Sequence, residues 1–454
     1  MMSSDASASV FAPGVRLLTA GMVLIVTLVA FESMAVATVM PLVEEDLGDL
    51  WLYGWVFSAF FLGNLVGVVI AGSAADRMRP AVPFAGGLVL FSIGLVIGGA
   101  ATSMSMLVAG RFLQGLGAGA MPAISYVCIG RGYRPESRAR MFALMSSAWV
   151  IPSVVGPALA GVIGATVGWR WVFLGLLPLC GVIGLVALLG VRRIGVPEEA
   201  ASPSNVVLAV GVAAGAGLLL AGLGSRSPLV VAAVVIAGLA LLVPSFRRLT
   251  PPGTLSARAG LPATVLVRGV LGFGFFAADA YVPFAITTVR GLPATVGGLA
   301  LTTATFTWTI ASWLQARWVD RTGPRRLVVV GLLVIGGGAL SLLAVLVPTI
   351  PAWIGLISWA VAGFGIGLAY TPLSLVTLAV APPGEEGRAT AGLQLSDMLG
   401  TALGTGVAGA LVSFGAIAMD STTTGLVLVF LLAAAVSFLG ATLGRRVPDV
   451  IHHR

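Results

Sequence analysis

The sequence predicts an all-helical integral membrane protein, and three observations carry that expectation. Of its 454 residues, 58% are hydrophobic, a further 61 are Gly and only 9% are charged, where a soluble domain carries about 25% charged residues. Apolar stretches of about 20 residues recur along the whole length, enough to cross a hydrocarbon core of about 30 Å as helix. The apolar residues do not alternate with period two, as barrel strands would, and a helix satisfies its own backbone polar groups inside lipid.

Breaks at charged residues, Pro and Gly divide the chain into fourteen candidate spans. The first two, 16–41 and 52–75, run from Arg16 to the charged Asp76-Arg77. Spans 82–103 and 106–130 follow, closed by the arginines between Arg131 and Arg140. Spans 141–165 and 171–191 come next, separated by Trp169-Arg170 and ended by Arg192-Arg193. A short pair at 206–223 and 229–245 is joined only by Gly224-Ser225-Arg226-Ser227-Pro228 and stops before Arg247-Arg248; a re-entrant hairpin is the alternative there. The last six are 260–287, 294–316, 327–346, 352–379, 389–413 and 421–443, bounded in turn by Arg290, by Arg317 to Arg326, by Arg388 and by Arg445-Arg446.

Charge sets the expected orientation. All 25 basic side chains are Arg. With the N-terminus inside, 20 fall on the cytoplasmic side and only Arg170, Arg226 and Arg290 fall opposite, so the positive-inside bias places both termini in the cytoplasm of a bacterial inner membrane. The net charge of +8 is thereby assigned to topology rather than to nucleic acid. Arg111 and Arg268 lie within spans and require another reason.

Composition also excludes chemistries. Without Lys there is no P-loop and no Schiff base. His452 and His453 are the only histidines and Cys128 and Cys180 the only cysteines, which removes His-based triads, metal clusters and a disulfide framework. No cofactor is expected. The first span is too long for a signal peptide and lacks its basic start and cleavage site.

The chain repeats itself. Gly115-Leu-Gly-Ala-Gly119 recurs as Gly363-Phe-Gly-Ile-Gly367, Asp76-Arg77 as Asp320-Arg321, and Arg140 as Arg388, at offsets of 244 to 248 residues. Residues 1–193 are read as one six-helix half, 194–258 as an inserted pair with cytoplasmic linkers, 259–446 as the second half and 447–454 as a cytoplasmic tail. Two parallel halves with a substrate handled between them is a transporter plan.

Four motifs then resemble the major facilitator superfamily, its fourteen-span drug:proton antiporter branch in particular. Gly72-Ser-Ala-Ala-Asp76-Arg77-Met-Arg79-Pro80 is similar to that family's G-x-L-a-D-R-x-G-R loop, with Arg79 in place of the second Gly, and the loop around Asp320, Arg321 and Gly323 repeats it. Arg111-Phe-Leu-Gln114-Gly115-Leu-Gly117 is similar to R-x-x-Q-G-x-G. Pro152-x-x-x-Gly156-Pro157-x-x-x-Gly161 is similar to the antiporter motif, and Glu32 stands nine residues before Pro41 where the branch has Asp. The resemblance implies a gate at Asp76, Arg77, Arg79, Asp320 and Arg321, and a loosened fifth span at Pro152, Gly156, Pro157 and Gly161.

Independently of any family, a carboxylate inside a bilayer costs at least ~2.5–3.5 kcal/mol and persists where it is paired, protonatable or lining water. Glu32, Asp279 and Asp397 are the candidates, and the first two stand at corresponding places of the repeat. At 1.5 Å per residue Glu32 lies ~24 Å into span 1 and Arg111 ~8 Å below the opposite end of span 4, while Arg268 and Asp397 lie ~12 and ~13 Å from one side. Those depths match in a ~30 Å core, so one Arg–carboxylate pair is expected in each half; Arg snorkelling is the alternative. The expected function is proton-driven antiport of lipophilic or cationic small molecules by a monomer in the bilayer, with export of a lipid or other amphiphile, or a membrane-embedded enzyme or scaffold, as competing readings.

Overall fold

A computed structural model of the chain describes residues 10–12, 14–195, 205–224, 227–382 and 385–450. Arg226, His452, His453 and Arg454 lie outside the described residues. The helices are α1 Arg16–Leu47, α2 Tyr53–Ala75, α3 Ala81–Gly99, α4 Met104–Gly132, α5 Pro135–Ser147, α6 Val150–Thr166, α7 Leu176–Val191, α8 Val206–Leu223, α9 Pro228–Leu249, α10 Leu261–Asp279, α11 Ala294–Thr322, α12 Pro324–Ser341, α13 Ile354–Val380, α14 Glu386–Ala418 and α15 Thr422–Gly444. A single turn, Arg170–Leu174, leads into α7, and α10 continues through Val282–Phe284 into a π turn at Ala285–Val289.

Twelve helices among the described residues are long and apolar enough to cross a membrane, against the fourteen expected. Both members of the short pair, Val206–Leu223 and Pro228–Leu249, are among the twelve. The difference falls on two segments. The expected fifth span, 141–165, is divided at Ala148-Trp149 into α5 and α6, and α6 has 17 residues. The tenth, α11, has 29 residues but carries Thr302, Thr303, Thr305, Thr307 and Thr309 and a charged end. Its hydroxyls stay bonded: Thr302 and Thr305 donate to the Gly298 and Leu301 carbonyls at 3.2 and 3.0 Å. Thr303 and Thr307 reach the Leu356 and Ala360 carbonyls of α13 at 3.1 and 2.6 Å.

The helices form two compact units, one of Met1–Val39 and Gly63–Val207, the other of Met40–Leu62 and Leu208–Arg454. In the first, α3 crosses α4 where Gly87 meets Gly117. In the second, the repeat-related crossing joins α12 to α13, where a Cβ on Gly365 would lie 2.6 Å from the Gly331 carbonyl oxygen. Small residues therefore do here what they do between membrane helices generally, bringing backbones into contact. The inserted α8 and α9 pack on each other through Gly215 and Gly238, and belong to the second unit. So do the end of α1, the turn after it and the start of α2: Gly54 meets Gly409 of α14, and Tyr53 lies 4.9 Å from the Tyr281 ring.

Two of the arginines on the Arg-poor side are consumed locally. Arg170 donates to the Ala101 carbonyl at 3.1 Å and stacks 4.4 Å from the Trp169 ring. Arg290 donates to the carbonyls of Val345, Val347, Pro348 and Ile350. Both close loops, which gives each a structural reason to sit there. Trp51 and Trp171 are exposed, as interfacial anchors require, but Trp169 is buried against Phe173 at 6.0 Å.

Candidate functional site

In the first unit the expected pair forms. Arg111 and Gln114 are one turn apart on α4 and so share a face, and that face meets Glu32 of α1. Arg111 Nη1 donates to Glu32 Oε1 and, at 2.9 Å, to Gln114 Oε1; the Gln114 amide donates to the same Glu32 Oε1 over 3.0 Å. Glu32 and Gln114 have no exposure and Arg111 has 2%. Glu32 Oε2 has no hydrogen-bond partner among the described residues, so the triad neutralises the carboxylate without saturating it. Gln114 is the member the charge-depth argument passed over, although its spacing from Arg111 marks it.

The second unit holds the other expected pair, with additions. Arg268 Nε of α10 lies 3.2 Å from Asp397 Oδ2 of α14, an approach off the N–H axis that leaves Nε without a directed hydrogen bond. Arg268 Nη1 donates to the Tyr370 carbonyl at 2.7 Å, its guanidinium lies over the Tyr370 ring, and the Tyr370 hydroxyl donates to Asp397 Oδ2 at 2.8 Å. Tyr370 therefore binds both members of the pair, one through its π face and one through its O–H. Nothing in the spacing of charged residues could have indicated it.

Asp279 is different. At the end of α10, half-buried, it accepts a 2.7 Å hydrogen bond on Oδ1 from the indole N–H of Trp359 of α13, and no Arg pairs with it among the described residues. Trp359 is fully buried and stacks on Phe275, centroids 4.8 Å apart and planes at 22°. Phe275 meets Trp308 at 5.9 Å, and Trp308 meets Tyr370 at 5.3 Å. A run of aromatic rings thus connects the acid at Asp279 to the Arg268–Asp397 pair.

The repeat explains the contrast. Asp279 stands 247 residues after Glu32, and Trp359 stands 248 residues after Arg111, at the offset that superposes the two glycine runs. The same helix–helix contact is therefore made twice, once by carboxylate and guanidinium and once by carboxylate and indole.

The residues assigned to a gate lie at helix ends. Asp76 pairs with Arg131 of α4 at 3.5 Å, within its own unit, while Arg77 and Arg79 are exposed. Asp320 and Arg321 are exposed at the end of α11. Beside them Asp449 reaches the backbone N–H of Arg325 at 3.3 Å, and Arg325 Nε donates to the Val447 carbonyl at 2.7 Å. Gly323, at φ 77°, has the left-handed conformation that favours Gly. Pro152, Gly156, Pro157 and Gly161 line the buried face of α6, and a Cβ on Gly156 would lie 3.5 Å from Met34 Cβ and 3.6 Å from the Phe31 ring of α1.

Comparison with known proteins agrees with this architecture. The family model of the Major Facilitator Superfamily matches residues 22–208 and 264–450, one match to each half of the repeat. The multidrug transporter protein MdtP of Bacillus subtilis is 27% identical over 414 residues, covering 87% of this chain and 75% of that protein. A probable multidrug-efflux transporter of Mycobacterium tuberculosis is 26% identical over 439 residues, 92% of each. Among solved structures, a point mutant of the peptide transporter POT in complex with alafosfalin superposes with a TM-score of 0.69 at 16% identity, covering 97% of this chain and 95% of that one. The xylose transporter XylE from E. coli, partially occluded and inward open, does so with a TM-score of 0.64 at 15% identity, covering 94% and 96%. At those identities the structures speak for the fold.

Proposed function

The chain belongs to the major facilitator superfamily, and from that premise we propose that it is a proton-coupled antiporter of the fourteen-span branch that exports lipophilic or cationic small molecules from a bacterial cytoplasm, with both termini inside. Of the two relatives above, one is named a multidrug transporter and the other a probable multidrug-efflux transporter. The observation that carries the coupling is the inventory of intramembrane acids. Glu32 and Asp397 each face a resident guanidinium, whereas among the described residues Asp279 is held by a neutral N–H donor alone. A carboxylate without a fixed counter-charge can alternate between ionised and protonated forms, and each form favours a different occupant. Ionised, it attracts a cation; protonated, it releases it.

The fourteen spans of this proposal are the twelve helices above together with α11 and the divided α5–α6.

The test uses cells expressing the full chain and loaded with ethidium. Dissipating the proton gradient should raise ethidium accumulation to the level of cells lacking the protein, and Asp279→Asn should do the same with the gradient intact. Accumulation indifferent to the gradient would refute proton coupling.

A further inference from the structure

Asp279 is held by a donor whose position is over-determined. The indole Nε1 is 2.7 Å from Oδ1, at the short end of the N–H···O range. The Trp359 ring has no exposure and is stacked on Phe275, which itself stands edge-on to Trp308 at 77°. A ring packed in that way cannot swing its single N–H elsewhere without breaking the stack. In the other half the same place is taken by Arg111, whose guanidinium favours the ionised form of a carboxylate beside it.

We infer that Trp359 is a positioning residue for proton exchange at Asp279: it orients the carboxylate as Arg111 orients Glu32, but without the charge that would keep the proton off. The inference rests on the proton coupling proposed above. Oδ1 is occupied by the indole, so the proton is taken and released at Oδ2.

The surroundings leave this donor decisive. The titratable and charged side chains on elements packed against α10 are Tyr370 on α13, Glu386, Arg388 and Asp397 on α14, Arg325 and Arg326 on α12, Arg317, Asp320 and Arg321 at the far end of α11, and Tyr53 on α2, whose hydroxyl donates to the Ala280 carbonyl at 3.3 Å. Tyr281 follows α10 directly, and α15 carries no ionisable residue. Arg268, on α10 itself, lies eleven residues from Asp279 and is engaged with Asp397. None of these makes an ion pair or hydrogen bond with Asp279 among the described residues.

The sign follows. An N–H donor favours the ionised form of its acceptor, so removing it makes the carboxyl bind its proton more tightly, and replacing it by a cation does the reverse. The experiment uses the full chain in proteoliposomes, with the infrared band of the protonated carboxyl assigned to Asp279 by its loss in Asp279→Asn. Trp359→Phe keeps the aromatic stack and should move the midpoint of that band about one pH unit toward alkaline, a tenfold rise in proton affinity. Trp359→Arg should move it toward acid and make ethidium export insensitive to pH. Unshifted midpoints in both variants would overturn the inference.

If either variant fails to fold, Phe275→Leu decides, because it leaves the donor in place but frees the ring. A smaller alkaline shift is expected there, and an unchanged midpoint overturns the inference. Shifted midpoints without gradient-driven ethidium export in the unaltered protein would refute the proposed function and leave the positioning role standing. Gradient-driven export with unshifted midpoints would do the opposite.

Discussion

Glu32, Arg111 and Gln114 allow a stability prediction with a definite sign. Replacing Arg111 by Met keeps most of the side-chain volume and removes the charge, leaving Glu32 with no exposure and only the Gln114 amide on Oε1. Breaking one side of a buried ion pair typically costs ~3–5 kcal/mol, because the other charge is left uncompensated. Glu32→Gln alone strands the guanidinium and should cost a similar amount. In the double variant neither charge remains. Gln at position 32 still offers an oxygen to Gln114, so the loss falls to roughly one or two neutral hydrogen bonds, about 1 kcal/mol each. The double variant should therefore be about 2–3 kcal/mol more stable than either single one, and its loss well below the sum of the two single losses. Equilibrium unfolding of the purified protein in detergent, followed by the same probe for all four forms, measures it. Additive losses would show that the three side chains do not act as a unit and would refute the reasoning.

The remaining predictions concern the loops and the crossings. Asp76→Asn should cost under about 1 kcal/mol, because the pair with Arg131 is partly exposed and such pairs contribute little; an unfolding midpoint lowered as far as that of Arg111→Met would contradict this. The same variant should increase labelling of a cysteine probe placed at Met78, and unchanged labelling would remove Asp76 from any gate. Gly365→Val should abolish accumulation of folded protein, since Gly331 blocks the space a side chain needs and overpacking costs ~1–3 kcal/mol or more; normal folded yield would show that the crossing is loose. Gly409→Val should displace Gly54 and raise labelling of a cysteine at Ser58, a residue now bonded to the Ala402 carbonyl at 2.7 Å, and an unlabelled cysteine there would show that the contact yields without opening.

The legible parts of this structure are those the bilayer dictates. Hydrocarbon thickness sets helix length, and the ends of most helices fell within a few residues of the apolar runs. Depth arithmetic also sufficed to join Glu32 to Arg111 and Arg268 to Asp397, because an intramembrane charge has few places to find a partner. The division of the fifth span at Ala148-Trp149 was not legible, since neither residue breaks a helix on its own. The association of residues 40–62 with the second unit was equally hidden, because Gly54, Tyr53 and Ser58 acquire their partners only through tertiary packing. Tyr370 and Trp359 escaped for a related reason: a search among charged residues for the partner of an acid passes over a hydroxyl and an indole.

The internal repeat accounts for the asymmetry that transport requires. With an arginine at position 359, both halves would set a carboxylate against a guanidinium, which favours the ionised form; a proton acts on an equilibrium only through a difference in its affinity for the states. Substituting Trp retains the contact between α10 and α13, as the 2.7 Å bond shows, and removes the compensating charge. The first half thus holds a paired carboxylate that ties α1 to α4, while the second holds an acid with no guanidinium against it among the described residues. The repeat presents one helix contact in two forms, carboxylate with guanidinium at Glu32 and Arg111 and carboxylate with indole at Asp279 and Trp359, and the proposed coupling assigns proton exchange to the second.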